Sequence, residues 1–322
     1  MKKLIIFASF AVALLSGCSD DKCCDDGGNN NGLVSPKLRA TVNAVNGTQS
    51  PMTGVLHVYP CQPNSSIYFG NYVNGSLTPF NGIYNLKDGN INTEAYNREL
   101  FLPVGPYNMV YWGTPKYEEP IYSNPAIRDP SLVVGVDMAT LYFRLIQNFP
   151  DTTYYPVYDM VYAVKPANVG TEELHAAMKR QVAGLKVIVK DKDNGVLSSS
   201  ISAMKVHIGG IAERINVYTA AVEDQTKTIG FPLVLSADGT QMSNATVMLL
   251  PSAEKPLFQL IITLKNGTVK TYKQPLSSPM KANTKLTLTL TLGDVFSEEN
   301  EGSFTIENWV EESVTIDVPV LE

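Results

Sequence analysis

The sequence predicts an all-β chain built on a sandwich plan, and three observations carry that expectation. Apolar and polar residues alternate in short runs, the period of strands with one buried face: Leu38, Ala40, Val42 and Ala44 near the start, Leu286, Leu288, Leu290 and Leu292 near the end. Asn-Gly and Asp-Gly pairs punctuate these runs at 46–47, 74–75, 81–82, 88–89, 238–239 and 266–267, and such pairs favour tight turns between strands. Threonine, tyrosine, valine, asparagine and glycine are plentiful, while charged residues make up only 17% of the chain, against about 25% in ordinary domains.

The chain of 322 residues begins with a segment of a different kind. Lys2 and Lys3 precede a nearly uninterrupted apolar run at 4–15, followed by Ser16, Gly17 and Cys18. The run is short for a membrane span and acidic residues follow it at once, so residues 1–17 read as a cleaved signal peptide. Leu15-Ser16-Gly17-Cys18 resembles a lipobox. The resemblance implies cleavage before Cys18, lipidation of its thiol, and a bacterial protein tethered by its own N-terminus. Two acyl chains hold a protein stably where one is marginal. The alternative is an ordinary secreted protein in which Cys18 is incidental. Residues 18–32, rich in Asp, Asn and Gly, read as a flexible tether. Ser19-Asp20-Asp21 also resembles the acidic signal that directs some lipoproteins to the outer face of the outer membrane; a plain solvated linker fits equally well.

The remaining length suits two domains or one large sandwich. Strands are expected at 38–44, 55–59, 99–104 paired with 107–112, 132–136 and 141–147. Pro150, Pro156 and Pro166 then interrupt a tyrosine-rich stretch, which puts the domain boundary near Lys165: residues 33–165 form the first sandwich and residues 166–322 the second. Residues 171–181 fit a helix with Leu174, Ala177, Met178 and Gln181 on one side. They also alternate through Leu174, Ala176, Met178, Arg180 and Val182, which favours a long strand leading into 185–190. Asp193-Asn194-Gly195, Asp238-Gly239 and Asn266-Gly267 read as hairpin tips, and strands at 304–309 and 314–320 close the chain.

The search for chemistry is largely negative. His57 and His207 sit inside strand patterns and His175 is isolated from any partner motif. No serine lies in a nucleophile elbow and no glycine-rich phosphate loop is present. Asp191-Lys192-Asp193-Asn194-Gly195 has the start of a calcium loop without its spacing or terminal glutamate, so a turn is the better reading. No catalytic residue, metal site or cofactor is expected. Of the four cysteines, Cys23 and Cys24 lie in the tether and Cys61 stands alone in the folded part, where pairing with the tether stays open. A net charge of −6 without a basic run argues against nucleic acid as a partner. Tyr107, Tyr111, Trp112 and Tyr117, and Tyr154, Tyr155, Tyr158 and Tyr162, fit core packing better than a glycan platform.

Five stretches together resemble the fimbrillin-type anchor and accessory subunits of lipoprotein-derived (type V) pili. They are the lipobox with its acidic tether, residues 102–107 leading to Trp112, residues 158–163, residues 179–187 and residues 304–309. The resemblance implies two tandem transthyretin-like β-sandwich domains, a place at the cell surface in a fimbrium, and other pilus subunits as partners through strand exchange. In polymerising members of that family a trypsin-like protease cuts after a basic residue near the first strand, and here Arg39 occupies that region. Val314, Ile316, Val318 and Val320 share one face, the alternation a donor strand needs to fill a neighbour's groove, although the same residues also suit the last strand of their own domain. A stand-alone glycan-binding lipoprotein is the second reading, with an unknown host or glycan receptor; an enzyme with carboxylates on separate loops is the third.

Overall fold

The structure is a computed structural model, which describes residues 32–43, 48–117, 121–191 and 193–292, together with the backbone of 306–315. Apart from one turn of 3-10 helix at Met138–Thr140, the regular elements are strands, as expected. The signal, the tether with Cys18, and the Asn46-Gly47 turn lie outside the described residues.

The first sheet runs in the order Leu174–Arg180, Val161–Val169, Gly105–Pro115, Gly54–Cys61, Gly82–Lys87, Asn90–Ile91, Leu38–Asn43 and Gln49–Pro51. Its members pair antiparallel, with one exception. Leu38–Asn43 and Leu174–Arg180 pair in parallel, from Leu38 opposite Leu174 to Asn43 opposite Lys179. That pairing joins the two leaves along one edge and encloses a core of Leu38, Ala40, Val42, Leu56, Val58, Tyr84, Met109, Tyr111 and Met178. It also decides between helix and strand at 171–181. Leu174, Ala176, Met178 and Arg180 are all buried and Ala177 is not, so the period of two prevails over the helical spacing.

The second sheet is organised around the long strand Ile201–Asn216. One edge of it pairs with Val222–Leu235; the other pairs with Leu257–Leu264 and then with Tyr142–Leu145. The register slips between Ile208 and Ile211, where Gly210 takes a φ of +77° that suits glycine, and the bulge lets so long a strand bend over its core. Val222–Leu235 hands over through Gln241–Ser243 to Ala183–Asp191, the opposite leaf. There Ala183–Asp191 lies parallel to Thr284–Leu292, whose outer edge carries Ile306–Thr315. Leu185, Val187, Val189, Leu286, Leu288 and Leu290 from this leaf meet Val206, Ile208, Phe231 and Ile262 from the other.

Turn chemistry acts as expected at Asn74-Gly75 and Asp88-Gly89, where both residues of each pair have positive φ and join the hairpins Asn71–Val73 with Ser76–Thr78 and Gly82–Lys87 with Asn90–Ile91. Asp238-Gly239 and Asn266-Gly267 likewise sit at hairpin tips. Several expectations differ from the structure. Gly82 opens a strand and makes no hairpin, and Asp193-Gly195 leads from one leaf to the other. Leu102–Pro103 pairs with Leu33–Val34, because Gly105–Pro115 is already flanked by Gly54–Cys61 and Val161–Val169. Residues 132–136 are not a strand. A single strand, Ile306–Thr315, runs where two were expected to begin and end.

The boundary drawn near Lys165 falls inside the strand Val161–Val169, and the first sheet continues to Arg180. In the other direction, Ile127–Arg128 and Tyr142–Leu145 from the first half belong to the second sheet. The prolines that suggested a linker therefore mark a crossover between sheets, and the described residues from Gly32 form one compact unit.

Candidate functional site

The two sheets meet along the outer face of the first. Trp112 is buried there, its ring edge-on to Phe143 with centroids 5.0 Å apart and tilted against Tyr162 at 4.9 Å. Its Nε1–H donates to the carbonyl of Val217 at 2.7 Å, the Tyr162 hydroxyl donates to the carbonyl of Tyr218, and Asn108 Nδ2 donates to the Tyr218 hydroxyl at 2.6 Å. The loop after Ile201–Asn216 is thus pinned to the first sheet, and one hydrophobic core runs through both. Packing is what most of the clustered aromatics do, as the sequence suggested. Below them Arg180 donates twice to the carboxylate of Asp159, at 2.7 and 2.8 Å, with neither side chain exposed.

Where this shared core ends, a cleft of about 390 Å³ opens, lined by Val55, His57, Tyr59, Trp112, Thr114 and Phe143, with Ile127, Asp129, Tyr158 and Met160 completing it. His57 is held by Asn81, whose Nδ2 lies 3.2 Å from Nδ1. Burial lowers the pKa of His57 below its ordinary value, Asp129 opposes that shift and Arg98 adds to it, so the ring is neutral near pH 7.

Of the residues singled out in the sequence, Cys18 lies outside the described residues. Arg39 is in the first sheet: its side chain is exposed and pairs with Glu173 at 3.1 Å, but its backbone lies in a strand flanked on both sides. Val314 pairs with Lys285 in the outermost strand of the second sheet, and Ile316, Val318 and Val320 lie outside the described residues. Cys61 is a free thiol, buried against the sulfur of Met138 at 3.4 Å, and burial pushes its pKa up to about 12. His207 is also shifted down by burial and by Lys205. Among the described residues no group of histidines, cysteines and carboxylates is placed to hold a metal, and no helix is long and apolar enough to cross a membrane. Sequence reasoning missed the cleft, because five separated segments build it, and it missed the Arg180–Asp159 pair. The signal for the pair was an arginine in the buried phase of an alternating strand, a position that demands a counter-charge.

The fold is thus two β-sandwiches, joined where the core of the second extends onto the outer face of the first. The sequence matches the family model for the fimbrillin-A associated anchor proteins Mfa1 and Mfa2 over residues 29–315, and the chain belongs to that family. Solved structures are similar over most of their length, two of them at a TM-score of 0.50. The fimbrial anchor protein Mfa2 of Porphyromonas gingivalis is 12% identical, with a TM-score of 0.49 and coverage of 86% of this chain and 98% of that one. A candidate polysaccharide-binding protein of Bacteroides thetaiotaomicron is 15% identical, with a TM-score of 0.50 and coverage of 87% and 99%. A candidate adhesin of Bacteroides ovatus is 11% identical, with a TM-score of 0.50 and coverage of 81% and 90%. No curated protein sequence matches the chain.

Proposed function

We propose that this chain is a surface lipoprotein, held in the bacterial outer membrane by lipid on Cys18, that serves as an anchor or accessory subunit of a pilus and joins its neighbours by strand exchange. The observation that carries strand exchange is the C-terminal edge of the second sheet. Thr284–Leu292 has four buried leucines, and its outer backbone groups are met by Ile306–Thr315, which follows the undescribed stretch 293–305. Among the described residues Ile306–Thr315 pairs on one side only, and such a strand can leave or extend to pair elsewhere. The anchor role is supported at the other end of the chain. Leu38–Asn43 is fixed between two neighbours and buries Leu38, Ala40 and Val42, so a cut after Arg39 would break into a finished core as well as sever the lipid. A structural role also accords with a family of anchor proteins.

The lipid anchor is tested by labelling cells with radioactive palmitate and fractionating their membranes. The natural chain should carry label and sediment with the outer membrane, whereas Cys18→Ala should carry none and appear in the medium or remain unprocessed. Unchanged membrane association of Cys18→Ala would sink the lipoprotein reading.

A further inference from the structure

We propose that the cleft beside His57 is a saccharide-binding subsite that takes one neutral sugar ring. The strand register explains why the cleft exists. Val110 lies opposite Tyr59, Trp112 opposite His57 and Thr114 opposite Val55. Residues opposed in an antiparallel pair share a face, so these six form one stripe across the first sheet. At one end Tyr59, Val110 and Trp112 are covered by the second sheet; at the other Val55, His57 and Thr114 are only partly covered. Tyr158, 41% exposed, and Asp129 also line the cleft.

The hydrogen-bond network fixes what the cleft offers. Arg98 has donors only, and its Nη2 lies 3.1 Å from Asn81 Oδ1 while its Nε donates to the Asn81 carbonyl at 2.7 Å. The Asn81 amide is thereby oriented with its nitrogen toward His57, where it must donate. His57 Nδ1 is then an acceptor and the ring proton sits on Nε2. Among the described residues no protein group accepts that proton. The lining therefore offers an N–H donor, the Asp129 carboxylate and the Thr114 hydroxyl, which serves either way.

An anion would meet the Asp129 carboxylate and is disfavoured. A hydroxyl both accepts and donates, so it suits a lining that offers both a donor and an acceptor. The C–H face of a sugar ring in turn suits the aromatic and aliphatic lining of Tyr158, Phe143 and Ile127. The volume is at the small end of ligand sites, about 300–1,000 Å³, which fits one ring and not a long chain segment. The inference is independent of lipidation and of strand exchange.

The test is saturation-transfer NMR on the full chain in a detergent without a sugar headgroup. The probes are the methyl glycosides of galactose, glucose, mannose and N-acetylglucosamine. At least one glycoside should receive transfer at its ring protons. Tyr158→Ala and Asp129→Asn, both at exposed positions, should each weaken its binding by about tenfold or more while leaving the melting temperature unchanged. Absence of transfer to all four glycosides, or binding that both variants leave intact, would overturn the proposal. So would transfer to N-acetyl-alanine methylamide alone, lost in the same variants, because that result would assign the cleft to a peptide.

Discussion

Arg180 and Asp159 close the end of the first sheet with a two-point ion pair that has no solvent exposure on either side chain. Arg180 Nη1 also reaches Asn283 Oδ1 at 3.4 Å, and Asn283 donates its backbone N–H to the carbonyl of Val182 at 2.8 Å. The pair thus latches the last residue of one sheet to the approach of Thr284–Leu292, the strand whose edge is proposed for exchange.

Removing one member should be costly. Asp159→Ala removes both of these charge-assisted bonds from a buried guanidinium, and about 3–5 kcal/mol of stability should be lost. The double variant Asp159→Leu with Arg180→Met should lose distinctly less, since an apolar pair of similar volume needs no compensation. Urea unfolding of the three proteins gives the comparison. A double variant as unstable as Asp159→Ala alone would show that the pair itself, and not the charge left behind, holds the junction.

Acid should weaken the fold before the carboxylates titrate. His57 and His207 both have folded pKa values below 6.5, in each case chiefly through burial. The unfolded chain therefore binds more protons than the folded one once the pH falls below about 6.5, and stability drops from there down to the folded values. Asp137, Glu213 and Asp238 are held below their ordinary values by hydrogen bonds, so their contribution begins only near and below about pH 4.5. Thermal melts should decline between pH 7 and 5, by less than the ceiling of about 1.4 kcal/mol per pH unit for each proton, and His57→Gln should flatten that decline. A melting temperature constant over this range would mean that neither histidine is as buried as described.

How far the sequence foretold this molecule depends on the range of the interaction. Hairpins at Asn74-Gly75, Asp88-Gly89, Asp238-Gly239 and Asn266-Gly267 were legible, because each turn is set locally, by two residues with positive φ in the first two and by the glycine alone in the last two. The leucines of Thr284–Leu292 were legible as a half-buried strand for the same reason. The parallel pairing of Leu38–Asn43 with Leu174–Arg180 was not, since nothing in either segment names a partner so distant in sequence. The boundary near Lys165 failed similarly: Pro166 is accommodated within a strand opposite Asn108, and Tyr142–Leu145 crosses to the other sheet. Trp112 was read correctly as packing, yet its bond to the Val217 carbonyl joins elements that only the fold brings together.

Arg39 should survive at the cell surface. Its bond to Ala40 lies in a strand where Ala40 N–H donates to the Gly89 carbonyl and the Ala40 carbonyl accepts from Met52, so a protease needs the edge of the core to open first. N-terminal analysis of the surface form should find a blocked, lipidated Cys18. A mature chain beginning at Ala40 would rule out a permanent anchor.

Assembly through the C-terminus is the central claim, and removal of residues 316–322 tests it most directly. The last described sheet pair is Thr284 with Thr315, and Ile316, Val318 and Val320 follow it. A chain ending at Thr315 keeps every described pair of its own sheet. The measurement is recovery of this truncated chain with immunoprecipitated fibres, beside the full chain, from cells expressing each at equal levels. The account predicts a truncated protein with an unchanged melting temperature that stays in the membrane and is missing from the fibre. A truncated chain recovered with fibres as fully as the natural one would contradict strand donation by this segment.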